Sequence, residues 1–287
     1  MVDATTNDAE PGRTARLGRR ALLTLGAAAL VSGCGTATTA QPSWQERTRP
    51  KGAASARPAP SRAAGSAPPW NGPLPAAAQP GVCPPAADVI VKPGTEQYLP
   101  CNGTDIALTI DDGPHPTWTP KVLAVLARHG IRATFCMVGE NVARNRDLVA
   151  RVTDAGHQIA NHTYTHPMDL AKQARTRIDE QITRTTELLT TAEGQAPALF
   201  RAPGGAWSPR ILAACRAAGL RPLDWSVDTV DWSRPGVRSI AEAILTKTRS
   251  GSIILNHDGG GNRAQTVEAL GIALPRLIDA GYHFILP

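Results

Sequence analysis

From Ile106 to the C-terminus, short apolar and β-branched runs alternate with longer runs of helical periodicity. Glycine and proline punctuate this alternation, with Pro120 near the start of one helical run and Gly130 directly after it, as is usual at helix ends. Repeated strand-then-helix order predicts an α/β fold with a parallel sheet or barrel, because parallel strands need crossover connections. The predicted strands are residues 106–110, 131–138, 156–161, 199–201, 221–227, 252–256 and 283–286, and the predicted helices are 120–129, 140–155, 170–193, 208–218, 237–249 and 264–280.

The first predicted strand leads directly into two adjacent carboxylates, Asp111 and Asp112, followed by Gly113 and Pro114. On its own this tetrapeptide is more often a turn, since all three residue types favour turns. Side chains alternate along a strand, so the two carboxylates should point in different directions. One of them can then bind a metal ion while the other faces a substrate as a base.

The third predicted strand leads into His162 and His166, which stand four residues apart. A lone pair at this spacing is usually two surface or core histidines. Side chains at the same end of neighbouring parallel strands converge, however, which brings these histidines towards the aspartates. One Asp and two His fill three positions of a divalent metal ion and leave others for water, which is typical of a catalytic site. The combination predicts a metal-dependent hydrolase.

Three further polar clusters, at residues 200–205, 225–232 and 253–258, follow or end later strands. With these clusters in place, the chain resembles the polysaccharide deacetylases with the NodB-homology domain, carbohydrate esterase family 4. The resemblance runs from about Ala107 to the C-terminus and includes all five family motifs in order. It implies a distorted, incomplete (β/α) barrel and hydrolysis of acetyl groups on a glycan.

The resemblance also implies a role for each matching residue. The implied catalytic residues are Asp111 (base), His257 (general acid), Arg201 (which orients the base) and Asp231 (which supports the histidine); the implied metal ligands are Asp112, His162 and His166; and Gly204, Trp232 and Leu255 are implied to bind the substrate. The chemistry needs these types, because amide hydrolysis requires an activated water, a stabilised oxyanion and a proton for the departing amine. Taken singly, Arg201 could be a surface cation, Asp231 a turn former and His257 a core histidine.

Two positions depart from the family pattern. Ile110 stands where the family usually has Phe, which exchanges one buried apolar side chain for another. Gly204 stands where an aromatic residue is common, so the backbone N–H is kept but the ring that would wall the acceptor site is lost. Substrate preference is therefore less defined by these motifs than the class of reaction.

The N-terminus predicts export. Arg19 and Arg20 precede an apolar run that ends at Val31, too short to span a bilayer comfortably. A basic region, a short apolar run and small residues form a secretory signal, here resembling the twin-arginine type. The run ends in a sequence that resembles a bacterial lipobox, which implies that Cys34 is lipidated and anchors the protein to the membrane; an ordinary signal peptide with an incidental Cys34 is the alternative. Residues 1–34 are thus assigned to the signal.

Residues 35–82 are dense in Ala, Pro, Ser, Gly, Thr and Arg, which predicts a disordered, extended linker. Residues 83–287 are assigned to one catalytic domain. Cys83 and Cys101 flank a Pro- and Gly-containing segment and could pair, whereas Cys136 and Cys215 lie in apolar segments typical of buried thiols; spacing alone does not determine pairing. The net charge of +6 is modest, and no basic patch of the nucleic-acid-binding kind is evident.

The resulting hypothesis is a metal-dependent deacetylase of an N-acetylated glycan, with peptidoglycan as the favoured substrate. The enzyme is expected to act at the cell membrane, in the wall or outside the cell. Zinc is the expected metal ion, with cobalt, nickel and manganese as alternatives for one Asp and two His. Chitin oligomers and an O-acetylated polysaccharide such as xylan are the alternative substrates. A non-catalytic glycan-binding wall protein and a cyclic-amide hydrolase on a related barrel are the alternative functions.

Overall fold

The computed structural model describes residues 92–100 and 103–287. The predicted export signal, the lipidation site at Cys34, the linker, and the possible Cys83–Cys101 pair lie outside these residues. Among the described residues, no helix is both long enough and apolar enough to cross a bilayer.

Strands and helices alternate along the described chain. The strands are β1 (Asp105–Asp111), β2 (Thr134–Met137), β3 (Gln158–Asn161), β4 (Leu199–Phe200), β5 (Arg221–Pro222), β6 (Val227–Asp228), β7 (Ile253–His257) and β8 (His283–Phe284). The α-helices are α1 (Trp118–Arg128), α2 (Gly139–Arg144), α3 (Arg146–Asp154), α4 (Arg175–Glu193), α5 (Pro209–Ala217), α6 (Val237–Lys247) and α7 (Ala264–Asp279), and single 3-10 turns span Leu170–Lys172, Pro203–Gly205 and Asp231–Ser233.

The strands form one sheet in the order β5-β4-β3-β2-β1-β7-β6, with β8 paired to β1. Every strand pair in this sheet is parallel. No ladder joins β5 to β6 among the described residues, so the barrel is not closed by its own strands. The predicted fold, a distorted and incomplete (β/α) barrel, is confirmed.

Both faces of the sheet are buried, as expected for a parallel sheet with helical crossovers. On β1, Ile106, Leu108 and Ile110 pack in the larger cluster beneath the outer helices, whereas Ala107 points to the opposite face. That inner face carries a mixture of small and larger apolar side chains. The inner cluster comprises Leu99, Ala107, Cys136, Ala160, Leu199, Leu223 and Ile253. Cys136 and Cys215 are both buried, and neither forms a disulfide within the part of the chain that the structure describes.

The predicted helix over residues 140–155 is in fact two helices, α2 and α3, which meet at Asn145. The backbone of Asn145 leaves the helical region, with φ −139° and ψ 49°. Its side-chain amide donates to the carbonyl oxygen of Asn141 at 2.9 Å and to that of Pro114 at 3.5 Å. The second of these bonds ties the break to the loop after β1, and periodicity alone contains no sign of it.

The predicted strand over residues 221–227 is interrupted between β5 and β6. Here the chain pairs with a segment that precedes β1: the Glu96 N–H donates to the Pro222 carbonyl, and the Asp224 N–H donates to the Glu96 carbonyl, both at 2.8 Å. Tyr98 forms an isolated bridge to Ser252, next to β7. Residues 96–98 therefore connect the two flanks of the gap in the barrel.

Candidate active site

A cavity of about 420 Å³ opens at the carboxyl ends of the central strands. Its position follows from the parallel sheet, because all the loops that leave the strand ends gather on one side. β1 ends at Asp111, His162 follows β3 directly, and β7 ends at His257. The cavity is lined by Asp111, Asp112, His162, His166, Met168, Gly204, Trp225, Asp228, Trp232, Leu255 and His257.

Asp112, His162 and His166 form a buried cluster with the composition of a metal site. The two histidine Nε2 atoms are 3.2 Å apart. Oδ1 of Asp112 lies 3.4 Å from Nε2 of His162 and 3.3 Å from Nε2 of His166. A tetrahedral ion with bonds of about 2.0–2.1 Å separates its ligand atoms by about 3.3 Å. The three side chains therefore fit a divalent metal ion without rearrangement.

The protonation of the cluster agrees with this fit. His162 donates its Nδ1 proton to the Arg201 carbonyl at 2.9 Å, which leaves the Nε2 lone pair directed at the cluster. Burial lowers the pKa of His166 to about 4, so its imidazole is neutral at pH 7. Burial opposes the charge of Asp112, but attraction to His166 in its protonated form, with smaller contributions from His162 and His257, outweighs burial and holds the pKa of this carboxyl below its usual value. Oδ1 of Asp112 is buried and has no hydrogen-bond partner among the residues that the structure describes, as expected for an atom that accepts a cation.

Two amide side chains shape the loop that carries the histidines. The backbone of this loop is left-handed at Thr163 (φ 66°) and His166 (φ 54°), which non-glycine residues adopt only where their surroundings impose it. Gln181 from α4 accepts from the N–H groups of Tyr164 and Thr165 at 2.9 and 2.8 Å. Asn161 accepts from the Thr163 N–H at 2.9 Å. These bonds fix the loop in the conformation that brings both imidazoles together.

The two adjacent aspartates have different closest partners, as predicted, but the reason is the turn of the backbone at Asp112 rather than alternation along a strand. Asp111 Oδ1 accepts from Arg201 Nη1 at 2.7 Å, and both side chains are buried. Burial opposes the charge of Arg201, but Asp111 outweighs it and raises the pKa of the guanidinium. Asp112 leaves the strand with φ 74°, and its carbonyl accepts from Asn141 Nδ2 at 2.8 Å. Asp111 thus pairs with a fixed cation, and its Oδ2 lies 3.6 Å from Nε2 of His162, while Asp112 lies against both histidines.

His257 and Asp231 form a second buried pair on the other side of the cavity. The imidazole Nδ1–H donates to Asp231 Oδ1 at 2.6 Å, and Oδ2 accepts from the His257 N–H at 2.9 Å and the Thr266 hydroxyl at 2.8 Å. Burial disfavours the charged imidazole, but the Asp231 carboxylate outweighs it and raises the pKa of His257 to about 9. Burial likewise opposes the Asp231 charge, and His257 holds the pKa of that carboxyl below its usual value. His257 is therefore a cation at pH 7 and is able to donate a proton.

Gly204 lies in the 3-10 turn Pro203–Gly205 at the edge of the cavity, with φ 59°. The space that a side chain would fill at this position is already occupied, since a Cβ on Gly204 would lie 2.7 Å from Cε of Met168. Met168 is 47 % exposed and lines the same cavity. The wall that the sequence suggests is lost at Gly204 is thus replaced by a thioether from the histidine loop.

Every site residue predicted from the sequence and described by the structure lies in or directly behind this cavity. Trp232, 54 % exposed, and Leu255 form apolar parts of its lining. Arg201 and Asp231 are buried behind Asp111 and His257.

Four residues in or beside the cavity were missed as site residues: Met168, Trp225, Asp228 and Asp258. Trp225 and Asp228 belong to a polar cluster that the strand ends already marked, which was the available signal. No spacing marks Met168. Asp258 follows His257 and is fully buried; it accepts from the Thr119 hydroxyl at 2.5 Å, and burial raises its pKa to about 7.

Comparisons with known proteins agree with this geometry. The sequence profile of the family described as polysaccharide deacetylase matches residues 100–223. A chitooligosaccharide deacetylase of Sinorhizobium fredii is 41 % identical over 198 residues, which cover 64 % of this chain and 92 % of the relative.

Solved structures show the same likeness. A crystal structure of the Bc1960 peptidoglycan N-acetylglucosamine deacetylase superposes with a TM-score of 0.64 at 37 % identity, covering 66 % of this chain and 88 % of the other. A protein of Bacillus anthracis described as a family 4 carbohydrate esterase pseudoenzyme superposes with a TM-score of 0.63 at 26 % identity, covering 68 % of this chain and 67 % of the other. The chain therefore belongs to the polysaccharide deacetylase family and is a hydrolase of that class.

Proposed function

We propose that this enzyme removes N-acetyl groups from a cell-wall glycan with the help of a bound divalent metal ion. Peptidoglycan is the substrate and zinc the metal ion that we favour. One observation carries the proposal: a metal-type cluster, a buried carboxylate–guanidinium pair and a buried imidazole–carboxylate pair surround a single cavity. Amide hydrolysis needs these three devices together, because water must lose a proton, an oxyanion must be stabilised and an amine must gain a proton.

Asp112, His162 and His166 would hold the metal ion. When bound, such an ion lowers the pKa of a water molecule to about 7 and polarises the substrate carbonyl. The Arg201 carbonyl orients His162, and Gln181 fixes the backbone of the loop between His162 and His166, so the cluster is organised by the protein itself. This kind of support keeps ligand orientation and basicity constant.

Asp111 takes the proton of the attacking water, and Arg201 keeps its carboxylate in position through the 2.7 Å bond. His257 donates a proton to the departing amine from its Nε2, because its Nδ1 proton is engaged by Asp231. The N–H of Gly204, at the cavity edge, is the proposed donor to the developing oxyanion. The two proton transfers, from the water and to the amine, are thereby each assigned to one side chain.

Several observations support a glycan as the substrate. Trp232, Trp225 and Leu255 give the cavity apolar walls that suit an acetyl group and the faces of a sugar ring. Relatives are named for chitooligosaccharides and for peptidoglycan N-acetylglucosamine. The export signal and lipobox-like sequence at Cys34 support peptidoglycan over chitin, since they would place the domain beside the wall. Membrane anchoring through Cys34 is part of this proposal.

A non-catalytic glycan-binding protein is the second candidate, favoured by the likeness to a pseudoenzyme of the same fold. In this chain the base, the acid, the three ligands and both supporting residues are all present and lie at contact distances. Catalysis is therefore the function that the geometry supports.

The direct test is acetate release by the purified full chain after chelation and zinc add-back. The substrates are peptidoglycan, N-acetylglucosamine oligomers and O-acetylated xylan. We expect zinc-dependent release from peptidoglycan, with oligomers slower and xylan slowest. Release from xylan alone would replace the amide with an ester substrate. No release from any of the three, despite metal binding, would instead support the binding role.

The His257–Asp231 pair predicts a shift in the alkaline limb of the pH profile. His257 is an acid only while protonated, and its pKa of about 9 depends on the Asp231 charge. In Asp231→Asn the burial that lowers this pKa remains and the charge that raises it is gone. We expect the alkaline limb of the kcat profile to move about 1–3 pH units lower than in the wild type. Asp279→Asn, the same change at an exposed carboxylate at the end of α7, should leave the limb in place; equal limbs in wild type and Asp231→Asn would remove His257 from the acid role.

The wall formed by Met168 predicts an effect on oligomer binding. Met168→Ala opens the space beside Gly204 and removes apolar surface from the cavity, so KM for a pentamer of N-acetylglucosamine should rise about fivefold. Ile278→Ala is the matched control: it shortens an exposed apolar side chain on α7, outside the cavity lining, and should leave KM unchanged. An unaltered KM in Met168→Ala would place the sugar chain elsewhere in the cavity.

A further inference from the structure

A short segment before β1, residues 92–99, lies against the gap in the barrel; we name it the N-terminal strap. The Glu96 N–H donates to the Pro222 carbonyl and the Glu96 carbonyl accepts from the Asp224 N–H, both at 2.8 Å. The Leu99 N–H donates to the Gly251 carbonyl at 2.8 Å. The strap lies outside the residues matched by the family profile, which begin at residue 100.

The first residue of the strap reaches the back of the cavity. Lys92 Nζ lies 2.9 Å from Asp224 Oδ2, 5.0 Å from the centre of the Trp225 ring and 3.5 Å from the Gly205 carbonyl. Gln97 supports this position from within the strap, because its Oε1 accepts from the Lys92 N–H at 2.8 Å and its Nε2 lies 3.5 Å from Asp224 Oδ2. One lysine thus contacts a buried carboxylate, a cavity wall and the loop that carries Gly204.

The turn is closely packed at Gly205, where a φ of 61° also favours glycine. A Cβ on Gly205 would lie 2.9 Å from Lys92 Nζ and 2.7 Å from Cη2 of Trp225. Both distances are shorter than real Cβ contacts allow. The ammonium group and the indole ring therefore pack directly against the backbone of the turn Pro203–Gly205.

Asp224 connects the strap to the proposed base. Its side chain is fully buried, and Oδ2 also accepts from Trp207 Nε1 at 3.0 Å. Its carbonyl accepts from Arg201 Nη2 at 2.8 Å, while Nη1 of the same guanidinium binds Asp111 at 2.7 Å. A buried carboxylate without a cation is costly, and Lys92 is the cation in ion-pair contact with Asp224 among the described residues.

Two cations lie near the Trp225 ring. Arg201 Cζ is 5.6 Å from the ring centre and Lys92 Nζ is 5.0 Å from it. Both distances are within the range in which a cation is attracted to an aromatic ring. The ring lines the cavity, so its position is part of the substrate site.

We propose that the N-terminal strap is a positioning element of the active site, with Lys92 as its positioning residue. Lys92 neutralises the charge of Asp224 and holds Trp225 in the cavity wall. The guanidinium of Arg201 is then free of a competing carboxylate and pairs with Asp111. This proposal rests on the proposed function, because it assigns Lys92 to the same deacetylation site. Without the lysine charge, Arg201 is drawn towards Asp224 and Trp225 loses one of its two cations.

The test compares three variants of the full chain: Lys92→Met, which removes the cation; Lys92→Arg, which restores it; and Lys121→Met, the matched control. Lys121 Nζ also lies over a tryptophan, 4.7 Å from the Trp118 ring centre, but it does not line the cavity. The measurements are kcat and KM for an N-acetylglucosamine oligomer, thermal unfolding, and acrylamide quenching of Trp225, taken as the difference from a Trp225→Phe background.

We expect Lys92→Met to lower kcat/KM about 10- to 100-fold, the usual effect of misplacing a reacting group. KM should rise and Trp225 should become more accessible to quencher, because a wall of the cavity is displaced. Lys92→Arg should recover both readouts, and Lys121→Met should change neither. A purely structural strap would reduce the folded fraction without changing KM.

Two further results would overturn the proposal. One is kinetic constants and Trp225 quenching in Lys92→Met equal to those of the wild type. The other is a loss in Lys92→Arg as large as in Lys92→Met, which would show that the cation is irrelevant. If the wild type itself releases no acetate, the proposed function fails, and the quenching measurement still decides whether Lys92 holds Trp225.

Discussion

Asp111→Asn is expected to lower kcat for acetate release by about 10²–10⁴-fold, the usual contribution of a positioned general base. The amide has nearly the shape of the carboxylate, and its oxygen can still accept from Arg201, which lies 2.7 Å from Asp111 Oδ1. It has no basic oxygen to take the water proton. The metal-type cluster formed by Asp112, His162 and His166 is left intact, so the loss is expected in kcat while metal affinity is retained.

Asp105→Asn is the matched control for this change. Asp105 begins the same strand that Asp111 ends, so the same substitution is made at the far end of β1. We expect wild-type kcat from Asp105→Asn. Measured kcat in Asp111→Asn above about a tenth of the wild-type value, with both proteins folded, would rule out Asp111 as the base.

His166→Gln is expected to abolish zinc binding and, with it, acetate release. Two ligands remain, and the buried Oδ1 of Asp112 loses one of the two imidazoles that face it. Zinc at about 100 times its Kd should stabilise the wild type by about 2.7 kcal/mol. For a domain of roughly 200 residues this raises Tm by about 5–10 °C. The same addition should leave the Tm of His166→Gln unchanged.

The measurement uses chelated protein, with zinc affinity from titration calorimetry and Tm from calorimetric scans. His283→Gln, at an exposed histidine on β8, is the control and should bind zinc like the wild type. A wild-type Tm that does not respond to zinc, cobalt, nickel or manganese would contradict a metal site. Equal zinc affinity in His166→Gln and the wild type would remove His166 from the ligand set.

Much of the fold was predictable because local patterns are strong where strands and helices are regular. The strand that ends at Asp111 and the helix before Gly130 were placed to within one or two residues, since apolar periodicity and helix-end residues coincide there. The prediction was wrong where a distant side chain or segment intervenes. Asn145 lies where a predicted helix breaks, and its side chain bonds to the Pro114 carbonyl. In the middle of a predicted strand, the Asp224 N–H donates to the carbonyl of Glu96, which lies far away in the sequence.

The same distinction applies to the site. Asp112, His162 and His166 were identifiable because they follow strands directly, and strand ends of a parallel sheet meet at one edge. Met168 and Lys92 had no such signal. Their roles depend on contacts that exist only after folding: Met168 packs against Gly204, and Lys92 pairs with Asp224.

The sequence by itself determined the order of strands and helices, the family, and the residue types at the strand ends, because these depend on local periodicity and on motifs of fixed spacing. Only the tertiary structure decided which side chains complete the cavity and how its charges are shared. Lys92 and Asp224 are 132 positions apart in the chain yet form an ion pair of 2.9 Å. Contacts of this kind arise from packing across the sheet, and neither propensity nor spacing encodes them.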